Sequence, residues 1–158
     1  MRIKRFSEYA VEEAVYTNDM GGRFWGNAGA GLLPFARSTS RFCVTLRGKD
    51  ANEPNTWGIF GGAIDDDATP EDTARKELEE ESGYNGHVEL LELYIFKSRT
   101  FTYHNFIGVV DEEFEPVLNW ENSKYAWLTL DELITLPQKH FGLEAIIDNA
   151  KERLADLI

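Results

Sequence analysis

The chain contains a single cysteine, Cys43, and five prolines in 158 residues. One cysteine excludes an intramolecular disulfide framework, and a chain of this length buries roughly 70% of its unfolded surface and needs none. No stretch approaches the roughly 18 uninterrupted apolar residues of a membrane span, and residues 1–10 lack the apolar run of a signal peptide. We expect one cytoplasmic domain over residues 1–158, with Cys43 as a small buried apolar residue.

Basic residues are also scarce. The 16 Lys and Arg residues face 28 Asp and Glu residues, which gives a formal charge of -12. This balance disfavours a basic groove that follows nucleic-acid phosphates. An anionic small-molecule substrate would therefore need a metal ion as mediator, and we expect neither a nucleic acid nor a membrane as partner.

Short apolar runs bounded by turn residues predict the strands. Two runs before the polar loop 48–56 are expected to pair with each other, and two later runs to form a hairpin or meander. A further short strand precedes the C-terminal helices, and residues 1–27 are interpreted as an N-terminal arm or strand. The predicted strands are 28–35, 41–47, 88–96, 100–110 and 125–128.

Capping residues predict the helices. Thr69 is the expected N-cap of a helix over 70–82, Pro70 suits its first position, and Gly83 suits its end. The run 129–132 has the pattern of a capping box that opens a second helix. A third, C-terminal helix carries an apolar face at three- and four-residue spacing, which we interpret as core: Leu143, Ile146, Ile147, Ala150, Leu154 and Leu157.

Three carboxylates share one face of the first helix. Glu77, Glu80 and Glu81 stand at positions i, i+3 and i+4, whereas Glu79 points elsewhere. No Lys or Arg follows any of the three by four residues, so their repulsion lacks the usual in-helix relief. Hard oxygen ligands select Mg²⁺, Mn²⁺ or Ca²⁺ over zinc. The alternative is a solvated acidic surface, but the preceding pair 61–62 of glycines lets the backbone approach a ligand.

Residues 62–84 resemble the Nudix box, Gly-x5-Glu-x7-Arg-Glu-U-x-Glu-Glu-x-Gly-U, in which U is a bulky aliphatic residue. Ala68 replaces the first Glu, Lys76 replaces the Arg, and Tyr84 is bulky but aromatic. In the family the side chains at the positions of Ala68 and Lys76 are expected to pair with each other, and here both residues have changed together. We expect Asp72 to pair with Lys76 instead. The six positions that match are Gly62, Glu77, Leu78, Glu80, Glu81 and Gly83.

The resemblance extends over about residues 28–136. The run 57–62, Trp-Gly-Ile-Phe-Gly-Gly, is similar to the family's Trp-x-x-Pro-Gly-Gly lead-in, and residues 125–133 are similar to its closing strand and helix start. It implies an α/β fold, an α/β/α sandwich around a mixed sheet. It also implies a Mg²⁺-dependent hydrolase, with Mn²⁺ as substitute, that cleaves the pyrophosphate of a nucleotide sugar such as ADP-ribose, a dinucleotide or a nucleoside triphosphate.

The resemblance also assigns roles to residues. The Gly62 carbonyl and the carboxylates of Glu77, Glu80 and Glu81 are implied metal ligands, and the three carboxylates are implied catalytic residues. For the family's further carboxylate, the ligand or base outside the box, we favour Glu121. The alternatives to Glu121 are Glu112, Glu113 and Glu115. Two rival interpretations stay open: a non-catalytic domain of the same type that binds a nucleotide metabolite, and an acidic interaction protein.

Several residues are candidates for substrate binding. Arg47, at the end of a strand before the box, is a candidate phosphate ligand, and aromatic rings can stack on any base. Phe24 and Trp25 also make the N-terminal segment a candidate arm for substrate or for a homodimer. Core packing is the alternative for each ring, and His87 and His140 show no pattern. The candidate stacking residues are Phe24, Trp25, Tyr103 and His104.

Overall fold

A seven-stranded sheet forms the centre of the computed structural model, which describes residues 28–158. Its strands are β1 (Ala28–Ala36), β2 (Arg41–Arg47), β3 (Trp57–Gly58), β4 (Phe60–Ala63), β5 (Glu89–Ser98), β6 (Phe101–Val110) and β7 (Asn122–Leu128). The main order is β3-β2-β1-β6-β5, while β4 also pairs with β1 and β7 also pairs with β2. Only β1 and β6 pair in parallel among these strands, so the sheet is mixed.

Three helices cover the two faces of the sheet: α1 (Pro70–Ser82), α2 (Leu130–Thr135) and α3 (Phe141–Ala155). Ala74 and Leu78 of α1 pack on the face that carries Leu32. The side chains of α2 and α3 pack on the opposite face, which carries the next residue, Leu33. Adjacent strand residues point to opposite faces, so the α/β/α sandwich is confirmed.

The predicted helix ends are confirmed. The Thr69 hydroxyl accepts a hydrogen bond from the Asp72 N–H at 3.0 Å, and Gly83 ends α1 in the left-handed conformation with φ of 76°. Thr129 and Glu132 form the predicted capping box of α2. The expected apolar face of α3 lies in the core. Within residues 28–158 no helix is both long and apolar enough to cross a membrane.

The five predicted strands are confirmed, but the sequence did not predict the short strands β3 and β4, and the pairing of β1 differs from the expectation. β5 and β6 form an antiparallel hairpin with a bulge between Glu92 and Tyr94. β1 and β2 pair only beside their turn, through Phe35 with Phe42 and their neighbours. Beyond that point β1 pairs with β4 and β6, and β2 pairs with β7 and β3. Cys43 is fully buried, as predicted, and burial raises the pKa of its thiol.

Candidate active site

The face of α1 that carries the acidic residues docks on the two glycines of β4. The Gly61 N–H donates a hydrogen bond to Oε1 of Glu81 at 3.0 Å. A Cβ atom on Gly62 would lie 2.8 Å from Oε1 of Glu77, closer than real Cβ contacts allow. Glycine at position 62 is therefore what lets the Glu77 carboxylate lie against the sheet.

The carboxylates of this face repel one another as the helical spacing predicts. Burial, the charge of Glu80 and a hydrogen bond to the Glu80 side chain raise the pKa of Glu77 to about 7. Burial and the charge of Glu77 raise the pKa of Glu81 to about 8, against the opposing effect of the Gly61 hydrogen bond. The charges of Lys76 and Arg47 lower the pKa of Glu77 and of Glu81, respectively, but by less than burial and the neighbouring carboxylates raise them.

Glu121 lies beside this cluster, because its charge contributes to the raised pKa of both Glu77 and Glu81. Its backbone is fixed on both sides: the Gly48 N–H donates to the Glu121 carbonyl at 2.8 Å, and the Glu121 N–H donates to Oδ1 of Asn119 at 2.9 Å.

The alternatives to Glu121 lie elsewhere. Glu113 binds Arg41 at 2.7 Å, and this hydrogen bond lowers the pKa of Glu113. Glu112 and Glu115 are exposed, and none of these three carboxylates acts on the pKa of Glu77 or Glu81. Of the four candidates, the structure brings Glu121 to the cluster.

The register of β4 against β1 decides whether the Gly62 carbonyl, the predicted backbone ligand, or the Gly61 carbonyl is free of the sheet. The Ile64 N–H donates a hydrogen bond to the Ala28 carbonyl of β1. Hydrogen-bonded pairs recur at every second residue of an antiparallel ladder, so Gly62 and Ala30 form the next such pair. The Gly62 carbonyl therefore faces β1. Gly61 lies in the alternate, non-hydrogen-bonded pair with Gly31, so its N–H and carbonyl point away from β1, and the N–H binds Glu81.

Lys76 does not pair with Asp72 as expected. Its Nζ atom lies 3.7 Å from Oδ2 of Asp65 and 3.9 Å from Oε2 of Glu80. Asp65 belongs to the loop between β4 and α1, so a weak link between loop and helix persists although position 68 is alanine. Both groups are mostly exposed, and pairs of this kind stabilise a protein by at most ~1 kcal/mol.

A cleft on the α3 side of the sheet opens beside Gly61. It holds about 660 Å³ of empty space, its open mouth included. Its apolar lining residues are Ile59, Phe141 and Leu143, and its polar lining residues are Arg47, Asn52, Glu53, Tyr103, Asn105 and His140. Arg47 and Tyr103 are thus brought together as sequence-predicted substrate residues. Phe24 and Trp25 lie outside the described residues.

Tyr103 lies across three glycines. A Cβ on Gly29 would stand 2.7 Å from two carbons of the Tyr103 ring, and a Cβ on Gly31 or Gly61 would stand 2.8 or 2.2 Å from its hydroxyl. Only 8% of Tyr103 is exposed. The ring is therefore packed against backbone and does not offer the stacking face that the sequence suggested, while the hydroxyl reaches Gly61. His104, its neighbour on the other face of β6, is not part of the cleft lining.

Two cleft residues were missed by the sequence reasoning. Asn105 is 4% exposed, and its amide nitrogen donates to the Tyr94 carbonyl at 3.1 Å. His140 caps α3, with Nδ1 accepting from the Gly142 N–H at 3.0 Å. An amide on the inward face of an apolar strand was a usable signal for Asn105; His140 carries none, because its place depends on how α3 packs.

The donor set fits a hard divalent cation. The Gly61 carbonyl and the carboxylates of Glu77, Glu80 and Glu81 are all oxygen ligands, and the close fit at Gly62 keeps two of these carboxylates beside the sheet. As they stand, no three His, Cys, Asp or Glu side chains within residues 28–158 are arranged so that they could hold a metal ion. The side chain of Glu80 is 54% exposed and lies beside Lys76.

A family model, the NUDIX domain, matches residues 27–150. The chain belongs to this family. The Nudix hydrolase RenU from M. smegmatis is similar in structure, with a TM-score of 0.69, 25% identity, and coverage of 88% of this chain and 90% of that chain. The NUDIX domain of Shewanella oneidensis NrtR, solved in complex with ADP ribose, has a TM-score of 0.62 at 19% identity, with coverage of 96% and 99%. The Nudix fold predicted from the box is thus confirmed.

A Mycobacterium tuberculosis protein named "Putative 8-oxo-dGTP diphosphatase 3" is 30% identical over 131 residues, which covers 76% of this chain. The chain spans 60% of the length of that relative. The relative is thus longer than the part that this Nudix domain matches.

Proposed function

We propose that this Nudix domain is a Mg²⁺-dependent hydrolase, with Mn²⁺ as substitute, that cleaves the pyrophosphate bond of a nucleoside diphosphate linked to another group. One observation carries the proposal. Four carboxylates gather beside Gly61, which also lines the cleft that contains Arg47, and their burial and mutual charge raise the pKa of Glu77 and Glu81 in spite of the nearby cations. A divalent ion would neutralise that cluster and let an anionic pyrophosphate approach a chain of charge -12.

Glu77, Glu80, Glu81 and the Gly61 carbonyl would hold the ion, which supplies charge neutralisation at the phosphates. Water attacks one phosphorus and the bond from that phosphorus to the bridging oxygen breaks. A nucleotide sugar or a dinucleotide then leaves as two phosphate esters, and a nucleoside triphosphate leaves as a nucleotide and an inorganic phosphate or pyrophosphate. Glu121 orients the water and accepts its proton, since it stands beside the ligand set. The Arg47 guanidinium and the Tyr103 hydroxyl bind non-bridging oxygens from the cleft side.

The substrate class follows from the shared pyrophosphate. A nucleotide sugar such as ADP-ribose, a dinucleotide and a nucleoside triphosphate all present this group. The named M. tuberculosis relative supports a triphosphate, and the NrtR domain with its ADP ribose supports a nucleotide sugar. We propose that this chain acts on a small nucleotide of one of these kinds.

The test is product release from a panel of ADP-ribose, other nucleotide sugars, dinucleotides and triphosphates including 8-oxo-dGTP, measured by chromatography with and without Mg²⁺. Glu80→Gln should lower turnover at least roughly 100-fold, because it removes a charged ligand. Glu79→Gln is the matched control, since Glu79 is exposed on the other side of α1, and it should retain full turnover.

Other outcomes of these measurements would favour one of the two rival interpretations, a non-catalytic binding domain or an acidic interaction protein. Nucleotide binding without any metal-dependent product would overturn the hydrolase and favour the non-catalytic binding domain, which the changes at Ala68 and Lys76 motivate. Absence of any Mg²⁺ or nucleotide effect on the melting temperature would favour an acidic interaction protein. A single domain, a cytoplasmic location and a homodimer stay predictions from the sequence, the last being open to sedimentation analysis.

A further inference from the structure

The connection between β6 and β7 carries Glu121 at its end. Residues 111–121 all belong to the described part of the chain, and they contain neither helix nor strand. A segment of this kind has no ladder or helical turn to fix its backbone, so its position depends on individual contacts with the rest of the protein. The place of Glu121 beside the acidic face of α1 therefore needs a cause outside this segment.

Trp127 of β7 supplies one such contact. Its indole N–H donates a hydrogen bond to the Phe114 carbonyl at 2.9 Å, and only 9% of Trp127 is exposed. The Phe114 ring meets the Trp127 ring edge to face, with centroids 5.2 Å apart, and packs on the Tyr84 ring at 4.3 Å. A phenylalanine would fill most of the same space without the N–H, so this polar atom is what specifies the position of the Phe114 backbone.

The same segment is bonded to the end of α1. The Val117 N–H donates to the Ser82 carbonyl at 2.8 Å. This carbonyl belongs to the last turn of the helix, where carbonyls lack a partner within the helix. Ser82 directly follows Glu81, and Glu121 lies four residues beyond Val117, where its carbonyl accepts from the Gly48 N–H at 2.8 Å. The segment therefore links the Trp127 indole to Glu121 by way of the helix end that adjoins the acidic cluster.

We propose that Trp127 is a positioning residue for Glu121: through the Phe114 carbonyl it holds residues 114–121 on the end of α1, so that Glu121 stands at the acidic cluster. This role rests on the proposed function, in which Glu121 acts on the attacking water. Trp127 acts through the segment and contacts no reacting atom. Catalytic groups work when they are held within roughly 0.5 Å of the productive geometry, so the loss of this anchor lowers turnover although every reacting group is still present.

Amide hydrogen exchange of the metal-free protein measures the anchor directly. Trp127→Phe keeps an aromatic ring and deletes the N–H. In this variant the Val117 and Gly48 amides should exchange about tenfold faster relative to the amides of the β1–β6 ladder. Phe35→Leu is the matched control, because Phe35 is 3% exposed and lies in the core on the opposite face of the sheet. It should lower the stability without a selective effect on the Val117 and Gly48 amides.

Steady-state kinetics with the substrate consumed in the panel measure the consequence for catalysis. Trp127→Phe should lower kcat about tenfold and leave KM and the Mg²⁺ concentration for half-maximal turnover unchanged. In the Glu121→Gln background it should cause no further loss, because the group that it positions is already gone. Phe35→Leu should retain the wild-type kcat below its melting temperature.

Several outcomes overturn the positioning role: unchanged exchange of the Val117 and Gly48 amides in Trp127→Phe, an unchanged kcat in that variant, an equal loss of kcat in Phe35→Leu, or additive losses in the double variant. Failure of the proposed function is a separate result. If no panel member is consumed, the hydrolase is withdrawn, and the exchange of the Gly48 amide in Trp127→Phe still decides whether Trp127 fixes the backbone of Glu121.

Discussion

Glu121 is the residue whose assignment depends most on the structure, because a chain distance of 40 residues separates it from Glu81. We expect Glu121→Gln to lower kcat by roughly 10²-fold, since the glutamine amide cannot accept a proton from water. KM should change little, because Glu121 stands outside the proposed substrate contacts. Steady-state kinetics at saturating Mg²⁺ check this. Glu115→Gln, an exposed carboxylate of the same loop, is the control, and equal kcat in both variants contradicts the assignment.

The site residues on α1 were predictable because their arrangement is local. Helical spacing alone places Glu77, Glu80 and Glu81 together. Which of the two glycine carbonyls is free of the sheet was not predictable, because the choice between Gly61 and Gly62 depends on the register of β4 against β1. His140 was beyond reach for the same reason, since the packing of α3 on the sheet brings it to the cleft.

At the scale of elements, β1, β4 and β6 fit together through the glycines under Tyr103. We expect Gly29→Ala to lower the stability by roughly 1–3 kcal/mol, because its Cβ would lie 2.7 Å from the Tyr103 ring. Adding Tyr103→Leu should cancel part of that loss, which a double-mutant cycle of urea unfolding measures. Gly58→Ala, whose Cβ would meet His140 at an ordinary 3.5 Å, is the control. Strictly additive losses in the double variant contradict the proposed contact.

The helices and five of the seven strands followed from the sequence, whereas the short strands β3 and β4 and the strand order did not. Thr69, Pro70 and Gly83 mark α1 unambiguously, since caps act within a few residues. The pairing of β1 with β6 joins distant parts of the chain, and apolar periodicity gives no information about which strands become neighbours. The short β1–β2 contact reflects this: proximity in sequence predicted that the two strands pair, but most of β1 pairs with β6 and most of β2 pairs with β7.

At the scale of the whole molecule, the raised pKa values of Glu77 and Glu81 make stability depend on pH. Both exceed the usual value of 4.5, reaching about 7 and about 8. The folded protein therefore binds more protons than the unfolded chain at pH values between 4.5 and these raised values. Their contribution is fully present below pH 4.5 and is lost as pH rises through 7 to 8. We expect the melting temperature of metal-free protein to fall between pH 6.5 and 8, a window above the usual pKa of His140.

The same pH titration of the melting temperature, repeated with Mg²⁺ and with variants, tests whether Glu77 and Glu81 cause the fall. Saturating Mg²⁺ should reduce the fall, because the ion binds the ionised carboxylates. Glu81→Gln should roughly halve the slope in metal-free protein, and Glu79→Gln should leave it unchanged. A melting temperature that is flat or rises over this window in wild-type protein would contradict the burial of the two carboxylates.

The parallel pairing of β1 with β6 sets the order in which the molecule can assemble. Ala28 pairs with Thr102 and Ala36 with Val110. The central strand, β1, is therefore synthesised early but gains its parallel partner only once β6 has been synthesised. Closing so long a loop is entropically costly and slows folding relative to local contacts. Gly61 reaches Glu81 only through β4, which pairs with the same β1. A nascent chain that ends before β6 therefore lacks the strand that completes the centre of the sheet, and its acidic helix has no finished surface on which to dock.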